Sequence, residues 1–277
     1  MKIRIISLLI LIVFISSVIA QDSVKLKLNF RPDKIYSFTS DMVNEINPGN
    51  KDASSGDQNA FPLNNTIIKQ HLEEEVKCGS LKEDNTFGIV MTITKFDMKS
   101  ILNGIETSNA SPFSLQGLQI EGICKPDNTI ENVVIKGNNF PEQMKSIFTT
   151  MLSEMMNKIK FPDKAIKVGD SFTQETPLAL PIPNAGKMNM KIVNNYLLEK
   201  IENGEPVFKV KSKVELSNTE NKSISSAIGE GEGVLIYNLT YQFYRVYDSE
   251  INMTMDIPAA DSKMIMKSKS KMTCKVE

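Results

Sequence analysis

Tryptophan is absent from this 277-residue chain, histidine occurs once, and cysteine occurs three times. Each shortage removes a chemistry. Without Trp, and with aromatics at 7%, there is little to stack against nucleic-acid bases. One His, His71, leaves a single imidazole for acid–base work or metal ligation, and no second one to complete a cluster. Cys78, Cys124 and Cys274 are too few and odd in number for a disulfide framework. One bridge plus one free thiol has three alternative pairings. The position of all three at the ends of strand-like runs favours small buried hydrophobes instead.

Excess charge is missing too. The chain has 32 Lys and Arg against 33 Asp and Glu; removal of Lys2 and Arg4 with a leader leaves 30 against 33, a net charge of −3. That is no electrostatic footprint for nucleic acid and no polybasic membrane patch. After residue 20 no run approaches the ~18 consecutive apolar residues of a membrane span. The mature chain is therefore expected to carry no transmembrane segment.

What the sequence does have begins with a leader. Lys2 and Arg4 precede an apolar run over 5–15, and Val18-Ile19-Ala20 has the small-residue character of a cleavage site, so residues 1–20 read as a signal peptide. The protein is expected in the periplasm or outside the cell, as one β-rich domain over 21–277.

Most of that domain alternates with period two. Residues 66–78 place Ile68, Leu72, Val76 and Cys78 in one phase. After the turn Lys82-Glu83-Asp84-Asn85, Phe87, Ile89, Met91 and Ile93 alternate back. The phase slips by one before Phe96 and Met98, the mark of a β-bulge. A loop is expected over 101–114 and a polar insert over 47–60. Strands follow at 118–124 and 130–135 around the turn Lys125-Pro126-Asp127-Asn128. Later strands run over 187–199, 207–216, 234–239, 241–248, 250–257 and 264–276.

One stretch differs. Met144, Ile147, Phe148, Met151, Leu152, Met155 and Ile159 recur at three- and four-residue steps, predicting an amphipathic helix over 141–160. Asn139 with Glu142 fits a capping box, Pro141 suits the first turn, and Pro162 ends the run. The order of strand signals before this helix resembles the order after it, so two pseudo-repeated meanders are expected at about 24–138 and 165–277. The expected fold class is α+β, mainly β: a large curved antiparallel sheet, a half-barrel, around the central helix.

The order of Lys34-Ile-Tyr-Ser-Phe38, the Asp/Asn turns, the Met-rich helical stretch and Phe161-Pro-Asp-Lys-Ala-Ile-Lys-Val-Gly-Asp-Ser-Phe172 resembles a family of uncharacterised secreted proteins common in Bacteroidota. Phe172 stands where those members usually have Trp. The family is similar in layout to periplasmic lipoprotein carriers, whose curved sheet wraps a helix. The resemblance implies a fold and a location; it brings no catalytic residue.

Several motifs invite chemistry. Gly169-Asp170-Ser171 looks like an esterase nucleophile but has no histidine near it in sequence, and reads as a turn feeding a strand. Met188/Met190, Met253/Met255 and Met264/Met266 are Met-x-Met pairs. Thioethers suit Cu(I), yet alternate residues share a strand face, and an adaptable apolar lining explains them more simply. Gly229-Glu-Gly-Glu-Gly233 precedes a strand rather than a helix, which excludes a phosphate cradle. Glu73, Glu74 and Glu75 alternate across a strand, so at most two share a face, and they read as a solvated face rather than a paired-carboxylate or hard-metal site. The segment 177–183 alternates Leu178, Leu180 and Ile182 among prolines, as an edge strand or an apolar flap.

No catalytic residue, metal site or cofactor is expected. The chain reads as an exported non-catalytic protein that binds a lipid or other apolar small molecule in the sheet concavity. Met151, Met155, Met188, Met190, Leu178, Leu180 and Ile182 are the expected lining residues. A structural or protein-interaction component of the cell envelope, with no small-molecule ligand, is the alternative.

Overall fold

The computed structural model describes residues 23–48, 65–107, 115–136, 161–182, 186–219, 226–257 and 262–277. Fourteen strands span them: β1 Ser23–Val24, β2 Ile35–Pro48, β3 Thr66–Cys78, β4 Phe87–Leu102, β5 Ile105–Thr107, β6 Gln119–Cys124, β7 Ile130–Lys136, β8 Ile166–Lys167, β9 Ser171–Ile182, β10 Gly186–Glu202, β11 Glu205–Thr219, β12 Ser226–Asn238, β13 Phe243–Ile257 and β14 Ser262–Val276. Strands β1 and β8 make a small pair. The other twelve form one antiparallel sheet in the order β7-β6-β4-β3-β2-β14-β13-β12-β11-β10-β9, with β5 paired to β4.

This corrects the expected α+β class. The described residues are all-β, with no helix among them. The helix expected over 141–160 lies outside the described residues, as do the leader and most of the insert at 47–60. What stands is a large antiparallel sheet. Among the described residues, the apolar face at one end of the sheet is covered by the non-helical segment 24–30.

Turn chemistry sets the hairpins. Asn103-Gly104 and Asn203-Gly204 each place two successive residues at positive φ (50° and 82°; 53° and 77°), the signature of a type I′ turn. The first of these corrects the loop expected over 101–114: β4 runs on to Leu102 and folds straight back as β5. The turns at 82–86 and 125–129 share one construction. Asn85 and Asn128 take positive φ, while Asp84 and Asp127 accept the backbone N–H of Thr86 and Thr129. The bulge expected in β4 is present, since Glu73 pairs with Lys95 and Glu74 with Ile93, leaving Thr94 extra.

Directly opposed residues of an antiparallel ladder share a face, so the registers assign two sides. On the inner side stand Tyr36 and Phe38 of β2, Val76 and Cys78 of β3, Phe87, Ile89 and Ile93 of β4, Tyr237 and Leu235 of β12, and Phe208 and Val210 of β11. All of these are buried. The other side carries Lys/Glu pairs, among them Lys77–Glu75, Lys191–Glu175, Lys209–Glu232 and Lys267–Glu250.

The inner side is concave at β12. Gly229, Gly231 and Gly233 occupy three successive inner positions there. A methyl on Gly229 would lie 3.2 Å from the Cβ atoms of both Val214 and Met253, on the two neighbouring strands. Opposed Cβ atoms in an ordinary ladder are about 4.5–5.5 Å apart. On Gly233 the methyl would meet the Asp248 carbonyl at 2.5 Å. The glycine-rich motif is a crease in the sheet.

Candidate functional site: the inner face of the sheet

Along its strands the inner face has three zones. The first is an aromatic floor. Tyr36 packs with Phe30, Phe38 and Phe243, and Phe172 stacks on Tyr196 with ring centroids 4.9 Å apart. Residues 24–30 cross this end. Val24 and Leu26 join the cluster of β10–β12, and Leu28 and Phe30 join that of β2–β4. Two tyrosines fasten the crossing: the Tyr36 hydroxyl accepts Arg31 N–H at 2.9 Å, and the Tyr237 hydroxyl bonds both backbone groups of Lys27. Burial pushes both phenols up to about 12.

The second zone is polar. Ser40 on β2, Gln70 on β3, Ser249 on β13, and Ser268 and Ser270 on β14 share the inner side by register. Glu74 joins them. It opposes Phe38 on β2 and Ile93 on β4, so its carboxyl stands among apolar side chains. Burial raises its pKa above the ordinary carboxylate range. Glu73 and Glu75, one step either way, point outward: Glu73 bonds His71 at 3.0 Å and Glu75 bonds Lys77 at 2.9 Å. The solvated-face expectation therefore holds for two of the three glutamates and fails for Glu74. Alternation is the reason, since Glu74 shares its phase with Leu72, Val76 and Cys78.

The third zone is rich in methionine. Met253 opposes Met266 and Met255 opposes Met264. Met190, Met253 and Met255 are buried with Val214 and Ala227, against Ile192, Leu216, Ile251, Met264 and Met266. Of the expected lining residues, Met190 lies here. Met188, Leu178, Leu180 and Ile182 lie on β10 and β9, where Met188 pairs with Leu180 and Met190 with Leu178. The side chains of those four are not among those described, and Met151 and Met155 lie outside the described residues. The lining expected from sequence omitted Met253, Met255, Met264 and Met266. Their Met-x-Met spacing was the available signal, and only strand pairing brings them opposite one another.

Other motifs resolve structurally. Gly169 has a φ of 92°, and Asp170 accepts Lys167 N–H at 2.8 Å, so Gly-Asp-Ser is a turn between β8 and β9. His71, on β3, is separated from β9 by six intervening strands in the sheet order and is held between Asp41 (2.7 Å) and Glu73 (3.0 Å). Hydrogen bonds to those two carboxylates raise its pKa above the ordinary histidine value. Residues 177–182 of the proline segment fall in β9, an edge of the sheet among the described residues. The three cysteines are free, buried and gathered in one cluster. Burial pushes Cys78 and Cys274 to about 12 and Cys124 to about 11, so none is a reactive thiolate near neutrality. Among the described residues no group of His, Cys, Asp and Glu is placed to hold a metal, and no helix is long and apolar enough to cross a membrane.

A depression of about 590 Å³ lies on the charged side, lined by Lys211, Lys213, Glu230, Glu232, Glu250 and Asn252 together with Ser212 and Gly231. Its mixed charges suit water and ions better than an apolar molecule.

No family model and no curated protein matches the chain. Among solved structures it overlays lipovitellin, in a structure concerned with lipid–protein interactions, at 12% identity and a TM-score of 0.48. The overlay covers 90% of this chain and 26% of that one, so this chain spans about a quarter of that protein's length. It also overlays the translocator domain of the autotransporter NalP from Neisseria meningitidis, at 4% identity and a TM-score of 0.31, covering 89% and 90% of the two chains.

Proposed function

We propose that this is an exported, non-catalytic protein of the periplasm or extracellular space that holds a lipid or other apolar molecule against the inner face of its sheet. The observation that carries this is the sidedness of the sheet. Its outer side bears Lys/Glu pairs, which stay hydrated at little cost. The inner side runs from aromatics to methionines and is concave at the β12 crease. Methionine is unbranched, polarizable and adaptable, as a surface for flexible chains requires. A membrane barrel has the opposite sidedness, with its apolar band outward.

The test is native mass spectrometry, with organic extraction, on protein purified from its own envelope. A co-purifying apolar species is expected. Repeated recovery of folded protein with nothing bound, together with no uptake of the neutral dye Nile red, would overturn the proposal and favour a structural or partner-binding envelope component.

A further inference from the structure

We propose that Glu74 is the head-group anchor of the inner face and that the ligand is an amphiphile with a cationic amine head. The inference rests on the binding function proposed above and specifies its chemistry.

Glu74 is set apart by charge. The inner positions of β2, β3, β4, β12, β13 and β14 can be traced by register from Tyr36 to Pro48, Cys78 to Thr66, Phe87 to Leu102, Tyr237 to Ala227, Tyr244 to Ile257 and Val276 to Met264. Among these positions Glu74 is the one carboxyl, and none is Lys, Arg or His. The cations of the same strands alternate to the other side: Lys77 pairs with Glu75, Lys95 lies near Glu73 and Asp97, and Lys267 and Lys269 pair with Glu250. A half-buried carboxylate between apolar neighbours, with no cation paired to it among the described residues, is costly. Its neighbours across the ladder, Phe38 and Ile93, offer no hydrogen-bond donor from their side chains.

An ammonium group supplies the missing charge and up to three donors. The surroundings suit the rest of such a molecule. Ser40, one inner step from Glu74 across the ladder, offers a hydroxyl beside the head, and Gln70 and Ser270 stand one step further along. Leu72, Phe96 and Met272 begin an apolar path for the tail. From the row of Cys274, level with Glu74 through Phe38, to Met266 at the methionine zone is eight residues of β14, passing Met272 and then Ser270 and Ser268 of the polar zone, whose rows also hold Met42, Met98, Ile68 and Ile251. At ~3.3 Å per residue this is a length on the scale of a long acyl chain. Fatty acids would place a second carboxylate against Glu74 and are disfavoured.

The experiment is displacement of Nile red by dodecylamine, dodecanol, dodecanoate and butylamine at neutral pH. It uses the mature protein, its Glu74→Gln variant, and Glu75→Gln as an outward-facing control. Dodecylamine should bind about tenfold more tightly than dodecanol to the unmodified protein, equivalent to one close charge pairing. Glu74→Gln should bring the two within about twofold of each other without weakening dodecanol, as expected if a charge pair alone is lost. Glu75→Gln should leave the preference intact, and butylamine, which has the head without the tail, should not displace the dye. Equal binding of the three dodecyl compounds, preference for dodecanoate, or a preference that survives Glu74→Gln overturns the anchor while leaving apolar binding in place. Displacement by butylamine identifies a small-amine site and overturns the amphiphile. If no dodecyl compound displaces the dye, the binding function falls with it.

Discussion

Glu74 carries a stability consequence independent of any ligand. Its folded-state pKa is raised, by burial, above that of the unfolded chain. Below the unfolded carboxyl range both states are protonated and the residue costs nothing. As pH rises through the folded value, the half-buried carboxyl must ionise or keep its proton against the gradient, and stability falls. The titrating groups near it are Tyr244, whose phenol is raised by burial with a contribution from Glu74, and Cys78 and Cys274, pushed to about 12. None of these ionises near neutrality. Glu74→Leu should therefore stabilise the ligand-free protein by about 1 kcal/mol at pH 7, the scale of relieving an unsatisfied buried group. It should gain less at pH 4. Urea unfolding at the two pH values measures this, and a loss of stability at pH 7 would mean the carboxyl has a partner. His71 acts in the opposite sense to a buried base: its carboxylate partners favour the imidazolium, so its contribution is present in acid and fades as pH rises through its raised value.

Strand β12 shows why an element reads differently in sequence and in space. Gly229-Glu-Gly-Glu-Gly233 has weak strand propensity, because glycine has no side chain to pack and loses most entropy on ordering. It is nevertheless a central strand, since the glycines permit a crease that larger residues would block. Gly233→Ala should cost about 1–3 kcal/mol, as overpacking does, because its methyl would meet the Asp248 carbonyl at 2.5 Å. Gly88→Ala, whose methyl has nothing within 4 Å, is the control and should be near neutral. Thermal denaturation of the pair distinguishes a crease from a merely weak strand.

For the whole molecule, the sheet order runs β9 to β14 and then β2 to β7, so the two meanders meet where the C-terminal strand β14 pairs with β2. Among the described residues that leaves two edges, β7 and β9, and both are blunted. Strand β7 is short, with a bulge near Asn132, which has a φ of 53°. Strand β9 carries Pro177 and Pro181, opposite Lys191 and Lys187. Proline offers no N–H to a further strand. Replacing both prolines by Thr should increase concentration-dependent self-association in sedimentation velocity. If association is unchanged, the edge is protected by other means.

The sequence by itself determined the local order. Period-two alternation, the Asp-Asn turns and the phase slip before Phe96 depend on sterics and hydrogen bonds within a few residues, and the turns at 82–86 and 125–129 and the bulge in β4 form where they were expected. The Asn103-Gly104 turn, in contrast, stands in an expected loop, and the strands expected at 241–248 and 250–257 are one strand. The inward phase of Glu74 was legible too, although a run of three glutamates masked it. Tertiary structure alone decided what depends on contacts distant in sequence. The pairing of β2 with β14, separated by more than 200 residues, is one example. The covering of the aromatic floor by residues 24–30 is another, and the meeting of Met253 with Met266 and Met255 with Met264 a third. The expected class was wrong for the same reason. An amphipathic stripe shows that a segment has one apolar face. It does not show which surface is left for that face to cover, because that depends on how the strands close and which other segments reach the sheet first.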